Sequence, residues 1–291
     1  MVDLSFGPAV DVTQECVRRR FRRASCRACA DVCPAQIFSF SDTGVLIEKS
    51  LCIECGDCLF VCPAEAITGI APRKRFLKND TLAGPFTARA ATIHELLLWH
   101  AVHGVRFISL EAEQYPAWMA ALAGLNLVLR RRGETVWGFK PWEKYEVNVA
   151  RRALIHIPQE DVTACAVQPG KRAQRAAFPD ISEADIVLNA EKCMLCGACW
   201  RSCSENAIRF EQHVLIVEAA RCTGCGGCEA VCQHHALEVT NKESKASITT
   251  YPTYAATCTA CHRPFWSFHP DQKQCALCLH HPHGMRNPDC C

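Results

Sequence analysis

The sequence lacks the features that would place it at once among membrane, secreted or nucleic-acid-binding proteins. No apolar run approaches the roughly 18 residues that a membrane-spanning helix needs, and the best segment, 96–110, is interrupted by His100, His103 and Arg106. Residues 1–17 lack the basic, apolar and small-residue order of a secretory signal. The net charge of +2 gives no support to binding of nucleic acid or of an anionic membrane.

Patterns for catalysis and nucleotide binding are missing too. The segment 73–179 contains neither GxGxxG nor GxxxxGK[ST]. Residues 94–100 begin like a zinc-protease helix, but Leu98 stands where the second histidine would be needed. We therefore expect His94 and His100 to be surface or packed side chains, and we expect a chain that is not itself an enzyme.

Cysteine, in contrast, is abundant. The chain has 23 cysteines, an odd number, and many are spaced two residues apart. This spacing favours metal ligands over disulfide bonds, which implies a reducing compartment or export only after cluster insertion, and we expect the cytoplasm. Two successive runs of the form CxxCxxCxxxC place cysteines at Cys193, Cys196, Cys199, Cys203, Cys222, Cys225, Cys228 and Cys232.

The same runs occur once more, earlier in the chain. A shift of 170 residues, without insertion or deletion, superimposes seven more cysteines on seven of these eight: Cys26, Cys29, Cys33, Cys52, Cys55, Cys58 and Cys62. The chain therefore contains an internal repeat of a whole module. The eighth position is Arg23, which offers no thiolate, but Cys16 lies seven residues upstream and can replace it if residues 17–23 form a short insertion.

These paired runs resemble those of the bacterial two-cluster ferredoxins and polyferredoxins, in which three thiolates of a run bind one [4Fe–4S] cluster and the fourth binds the other. The resemblance implies four clusters, with the ligand sets Cys16, Cys26, Cys29 and Cys62; Cys33, Cys52, Cys55 and Cys58; Cys193, Cys196, Cys199 and Cys232; and Cys203, Cys222, Cys225 and Cys228. Two alternatives stay open. In the first alternative, Cys16 is not a ligand, and the first cluster has three irons or is absent. In the second, ligands are exchanged between distant halves of the chain, as in iron–sulfur subunits of molybdopterin oxidoreductases.

The segment between the two modules is predicted to be a small α/β unit. Apolar periodicity predicts helices at 88–103 and 116–132 and strands at 105–110 and 134–139. The basic segments 18–21 and 73–78 are interpreted as solvated loops, and Cys165 as a free thiol in a polar linker. We expect four tryptophans to fill a core or an interface: Trp99, Trp118, Trp137 and Trp142.

A second type of metal site is predicted near the end of the chain. Cys258 and Cys261 are followed, after thirteen residues, by Cys275 and Cys278. Two CxxC knuckles at this separation are typical of a four-cysteine zinc ribbon. Zinc is our first expectation, and rubredoxin-like iron or a fifth cluster are the alternatives.

The sequence as a whole predicts an α+β fold of four segments. Residues 1–72 form the first two-cluster module, 73–179 the inserted unit and linker, 180–244 the second module, and 245–291 the ribbon-like segment and tail. By resemblance we expect an electron-transfer subunit in a hetero-oligomer. It would relay single electrons between a second carrier and a catalytic oxidoreductase subunit containing molybdenum, tungsten, flavin or nickel–iron. The alternatives are an enzyme with an open first cluster, or a redox-sensing regulator with a zinc ribbon.

Overall fold

The computed structural model describes residues 10–41, 44–140 and 162–280, and its contacts divide the chain into two compact units. The first unit contains Met1–Cys16, Arg27–Ser41 and Val45–Phe178, and the second contains Val17–Cys26, Asp42–Gly44 and Pro179–Cys291. Both units mix short helices with small sheets. Within the described ranges, no helix is both long and apolar enough to cross a membrane.

The described elements are numbered in chain order. The strands are β1 (Asp11–Val12), β2 (Phe38–Ser41), β3 (Gly44–Ile47), β4 (Ile67–Thr68), β5 (Arg75–Lys78), β6 (Thr81–Gly84), β7 (Phe107–Ser109), β8 (Gly138–Lys140), β9 (Val162–Cys165), β10 (Ile181–Ser182), β11 (Asp185–Leu188), β12 (Ile208–Glu211), β13 (Val214–Glu218), β14 (Leu237–Thr240), β15 (Ser244–Lys245), β16 (Ile248–Pro252), β17 (Tyr254–Thr257) and β18 (Pro264–Ser267). The helices are α1 (Val17–Arg20), α2 (Ala28–Val32), α3 (Asp57–Val61), α4 (Ile93–Val102), α5 (Pro116–Arg132), α6 (Lys171–Ala177), α7 (Ala198–Ser202), α8 (Gly227–Val231) and α9 (Ala276–His280).

The inserted unit is built on a five-stranded sheet in the order β8-β7-β6-β5-β9. The strands β6, β7 and β8 are parallel neighbours, and the helices α4 and α5 connect them, as a parallel pair requires. The strand β5 is antiparallel to both β6 and β9. The predicted α–β–α–β order is therefore present, but the sheet has three further strands.

The helix ends follow local sequence signals. Helix α5 has the predicted bounds because Pro116 stands at its first turn and Gly133 ends it with φ of 75°. Helix α4 begins later than predicted because Thr92 is its cap: the Thr92 hydroxyl accepts a hydrogen bond from the Glu95 backbone N–H at 3.2 Å.

Two interpretations of the inserted segment are wrong. Residues 73–78 do not form a solvated loop, because Arg75 begins β5 and is buried against Glu95, with Nη2 3.0 Å from Oε2. Cys165 does not stand in a linker, because it ends β9 and pairs in register with Arg75. Both strands are only four residues long, and β5 has a charged residue at each end, so neither gives the apolar alternation that predicts a strand.

Large aromatic side chains fill the core of this unit, as expected. Trp99 and Trp118 are fully buried, and Trp137 is 3 % exposed. The Trp99 indole N–H donates a hydrogen bond to the Glu95 carboxylate at 3.2 Å. The same carboxylate accepts a hydrogen bond from the buried Arg75. Trp142 lies outside the described residues.

The two repeat modules share one arrangement of strands. In the first, β1 pairs antiparallel with β4, so that Val12 faces Ile67. In the second, β11 pairs antiparallel with β14, so that Leu188 faces Leu237, the residue 170 positions after Ile67. Each module also contains a further strand pair, β2 with β3 and β12 with β13. In the second module β16 adds a third strand to β13, and the chain continues into the hairpin of β17 and β18.

Candidate metal centres

The cysteine runs fold into loops with a repeated backbone conformation. Three of the four runs place left-handed residues between their cysteines: Glu54 and Gly56, Leu195 and Gly197, and Gly224 and Gly226, with φ between 51° and 86°. The run that begins at Cys26 has no such residue, and Arg27 has φ of −128°. The first run is therefore irregular in backbone as well as in sequence.

A second conformation recurs after the last cysteine of all four runs. The third residue beyond it is left-handed in each case: Gln36, Glu65, Asn206 and His235, with φ between 48° and 52°. This turn brings the following backbone N–H group back to the cysteine sulfur. The Ala66, Ala207 and Ala236 N–H groups lie 3.3 Å from the sulfur atoms of Cys62, Cys203 and Cys232.

Two further sulfur atoms accept backbone hydrogen bonds inside the loops. Leu195 donates to Cys193 at 3.5 Å, and Gly224 donates to Cys222 at 3.3 Å. Donors of this kind stabilise negative charge on sulfur and are a main means by which iron–sulfur proteins set cluster properties. The loops are therefore shaped to hold thiolates.

In the second module, the largest electrostatic interactions between thiols fall within the two predicted sets. Burial raises the pKa of Cys193, and the charges of Cys196 and Cys232 raise it further. Burial likewise raises the pKa of Cys228, and the charges of four thiols raise it further: Cys222, Cys225, Cys203 and Cys199. Each fourth cysteine thus lies close to the thiols of the other run within the same module.

The first module shows the corresponding proximity around Cys58. Burial raises the pKa of this thiol, and the charges of Cys55, Cys29, Cys33 and Cys52 add to the effect. Three of those four neighbours belong to the set predicted from the resemblance. Cys29 belongs to the adjacent set, as Cys199 does in the second module.

Cys16 occupies the place that Cys193 has in the second module. It follows β1 as Cys193 follows β11, and its N–H bonds to the Thr13 carbonyl at 3.2 Å, as Cys193 bonds to Ala190 at 3.2 Å. Burial raises the pKa of Cys62, and the charge of Cys16 raises it further, as Cys232 does for Cys193. Cys16 and Cys62 are therefore neighbours. Cys26 belongs to the second compact unit, as does the insertion at residues 17–23. The insertion was expected to be a loop, but its first four residues form helix α1.

The donor set fits an iron–sulfur cluster. A cavity in the second module is lined by all four cysteines of one set, Cys193, Cys196, Cys199 and Cys232. Burial raises the pKa of Cys199 to about 12, so without metal this sulfur is a protonated thiol at neutral pH. Bound iron would replace that proton and stabilise the thiolate, which then bonds to the surrounding N–H groups.

The four C-terminal cysteines form a different site, small enough for a single ion. The sulfur atoms of Cys258, Cys261, Cys275 and Cys278 all lie within 4.8 Å of one another, and these four form the metal-binding group found among the described residues. A Zn–S bond of about 2.3 Å with tetrahedral angles gives a sulfur–sulfur edge of about 3.8 Å. The sulfur atoms of Cys261 and Cys275 are 3.8 Å apart.

This site is prepared for a metal by its backbone. Burial by itself would raise the pKa of Cys258, but N–H groups of Cys275, Cys261 and Ala260 lower it to about 6. The Cys275 N–H lies 3.3 Å from the Cys258 sulfur, and His262, directly after the first knuckle, has φ of 56°. These backbone donors favour the thiolate form of Cys258, which is the form that binds metal.

The sequence analysis missed Arg89 and Asp57 at the first module. Arg89 Nε donates to Asp57 Oδ2 at 2.7 Å, and Arg89 Nη2 donates to the Val32 carbonyl at 3.1 Å. Burial raises the pKa of Cys55, whereas the Arg89 charge opposes this and the Asp57 charge adds to it. The available signal was Asp57 itself, because the repeat has Gly227 at the equivalent position.

Two family models match the chain. A 4Fe-4S dicluster domain matches residues 24–67, and a 4Fe-4S binding domain matches residues 186–209. The chain therefore contains two ferredoxin-type 4Fe–4S domains, one in each copy of the repeat, which confirms the resemblance seen in the cysteine runs. Cys16 and the run from Cys222 to Cys232 lie outside the matched residues, and the matches assign no individual ligands, so the roles of all sixteen cysteines remain predictions.

Proposed function

We propose that this chain is an electron-transfer subunit that carries four [4Fe–4S] clusters, held by the four ligand sets predicted from the cysteine runs. The observation that supports the proposal most directly is that each module brings its two runs together, with backbone N–H groups directed at the sulfur atoms. Clusters held in this way accept and release single electrons at potentials that the protein adjusts over roughly −700 to +450 mV.

The chemistry that supplies or uses these electrons belongs, in this proposal, to a partner. The partner is a catalytic oxidoreductase subunit containing molybdenum, tungsten, flavin or nickel–iron, and a second carrier completes the chain in a cytoplasmic hetero-oligomer. The many cysteines at metal-ligand spacing support a reducing compartment.

The C-terminal site is proposed to bind one zinc ion as a structural centre. Cys258, Cys261 and Cys278 are buried and Cys275 is partly buried, which suits a closed four-thiolate site without an open position for substrate. The adjoining hairpin packs on the second module through Trp266, whose ring stacks on His213 at 4.2 Å and meets the Phe210 ring edge-on at 6.1 Å between ring centroids. Within the module, Phe210 in turn stacks on Trp200, next to Cys199. The ion would thus stabilise an extension of the module.

Anaerobic metal and sulfide analysis of the purified full chain tests this function. We expect about sixteen iron atoms, about sixteen sulfides and about one zinc per chain. Reduction with dithionite, followed by electron paramagnetic resonance, should show interacting reduced clusters. Iron without sulfide, or zinc in place of iron at the repeat cysteines, would refute the electron-transfer assignment.

A further inference from the structure

An arginine from the inserted unit joins the two short helices of the first module. Val32, whose carbonyl accepts from Arg89, is the last residue of α2 and directly precedes the predicted ligand Cys33. Asp57, the other acceptor, is the first residue of α3 and lies between the ligands Cys55 and Cys58. Its side chain is only 5 % exposed. Arg89 thus contacts both elements that carry ligands of one cluster set, Cys33, Cys52, Cys55 and Cys58.

The second module has an arginine at the equivalent carbonyl. Ser202 is the residue 170 positions after Val32, and its carbonyl accepts from Arg20 Nη2 at 3.3 Å. Arg20 lies in α1, in the insertion that interrupts the first run, so it is not the repeat counterpart of Arg89. The two arginines come from unrelated parts of the chain and yet reach the same backbone position.

The two contacts also adjoin repeat-equivalent ligands. Arg89 bonds to the carbonyl directly before Cys33, and Arg20 bonds to the carbonyl directly before Cys203, which is 170 residues later. At the position of Asp57 the second module has Gly227, where a Cβ atom would meet the Phe21 ring at 3.0 Å. The insertion therefore supplies both a cation and an aromatic cover beside this run.

We propose that Arg89 and Arg20 raise the reduction potentials of the two repeat-related clusters bound by Cys33, Cys52, Cys55 and Cys58 and by Cys203, Cys222, Cys225 and Cys228. The inference rests on the proposed clusters. Reduction adds one negative charge to a cluster, and a nearby guanidinium stabilises that charge. Asp57 acts in the opposite direction at the first cluster while it holds Arg89 in place.

The test is an anaerobic redox titration of the full chain, followed by electron paramagnetic resonance, with iron measured on every sample. Arg89→Gln should make one cluster about tenfold harder to reduce, which for a one-electron couple is about 59 mV. Arg89→Lys, which keeps the charge, should recover most of this shift. Asp57→Asn should shift the same cluster in the opposite direction, and Arg20→Gln should lower the potential of a different cluster.

Matched controls remove a charge elsewhere. Arg131→Gln lies on the exposed last turn of α5, and Arg22→Gln lies on the exposed insertion; neither should move any potential. Fully loaded Arg89→Gln protein with unchanged potentials would overturn the inference and leave the proposed function intact. Wild-type protein without clusters would instead remove the proposed function. If Arg89→Gln loses iron, Arg20→Gln decides: a lowered potential in fully loaded protein supports the inference and an unchanged one overturns it.

Discussion

Replacing Cys16 by serine tests the least regular part of the repeat. The residue follows β1, which pairs through Val12 with Ile67, and the turn from Thr13 fixes its backbone as the turn from Ala190 fixes Cys193. If Cys16 completes a cluster, its loss leaves three thiolates for four irons. The cluster then collapses, with a loss of about four of sixteen irons, or persists as a three-iron cluster with a loss of about one.

Iron and sulfide analysis, together with electron paramagnetic resonance of the oxidised protein, distinguishes these results, because a three-iron cluster is paramagnetic when oxidised and a [4Fe–4S]²⁺ cluster is not. Cys193→Ser is the positive control and should lose iron in the same way. Cys165→Ser is the negative control, since this half-buried thiol in β9 lies outside the predicted sets. A Cys16→Ser protein with unchanged iron and unchanged spectra would refute the ligand assignment, and the open-cluster alternative would then regain support.

Three further predictions concern the inserted unit and the ribbon. Burial lowers the pKa of His100, whose Nδ1 accepts a hydrogen bond from the Trp137 indole N–H at 3.1 Å. Below about pH 6.5 the unfolded chain therefore binds more protons than the folded chain, and thermal unfolding should show that stability falls as the pH drops through that range. His100→Gln should flatten this pH dependence. Leu97→Ala, at a fully enclosed position of α4, should lower the free energy of unfolding by about 2 to 5 kcal/mol in urea titrations, whereas exposed Leu127→Ala should change it little. Cys258→Ser should abolish the bound zinc but leave iron unchanged by metal analysis. Loss of about one iron would mean that the C-terminal site holds a single iron ion, and loss of about four irons with sulfide would mean that it holds a cluster.

Local signals in the sequence predicted the elements that depend on them. Helix α5 is bounded by Pro116 and Gly133, two residues whose backbone preferences act over a single turn. The cysteine spacing and the 170-residue repeat likewise predicted the two ferredoxin-type domains. These patterns are local because a cluster requires several thiolates on one tight loop.

The remaining features depend on partners that are distant in sequence. Strand β9 forms because it pairs with β5, where Cys165 faces Arg75. Arg75 can be buried because the carboxylate of Glu95, in helix α4, neutralises its charge. The position of Cys16 depends on the pairing of Val12 with Ile67, more than fifty residues away. No periodicity within either segment reports such contacts, which is why sequence reasoning placed residues 73–78 in a loop and left the role of Cys16 open.

The pairing of β5 with β9 has a topological consequence for the whole insertion. The chain enters the α/β unit at Arg75 and completes its sheet at Cys165, and these two residues are direct neighbours across the ladder. An excursion of ninety residues therefore begins and ends within one strand spacing, about 4.8 Å. A unit with adjoining ends can be gained, lost or exchanged between chains without stretching the segments on either side.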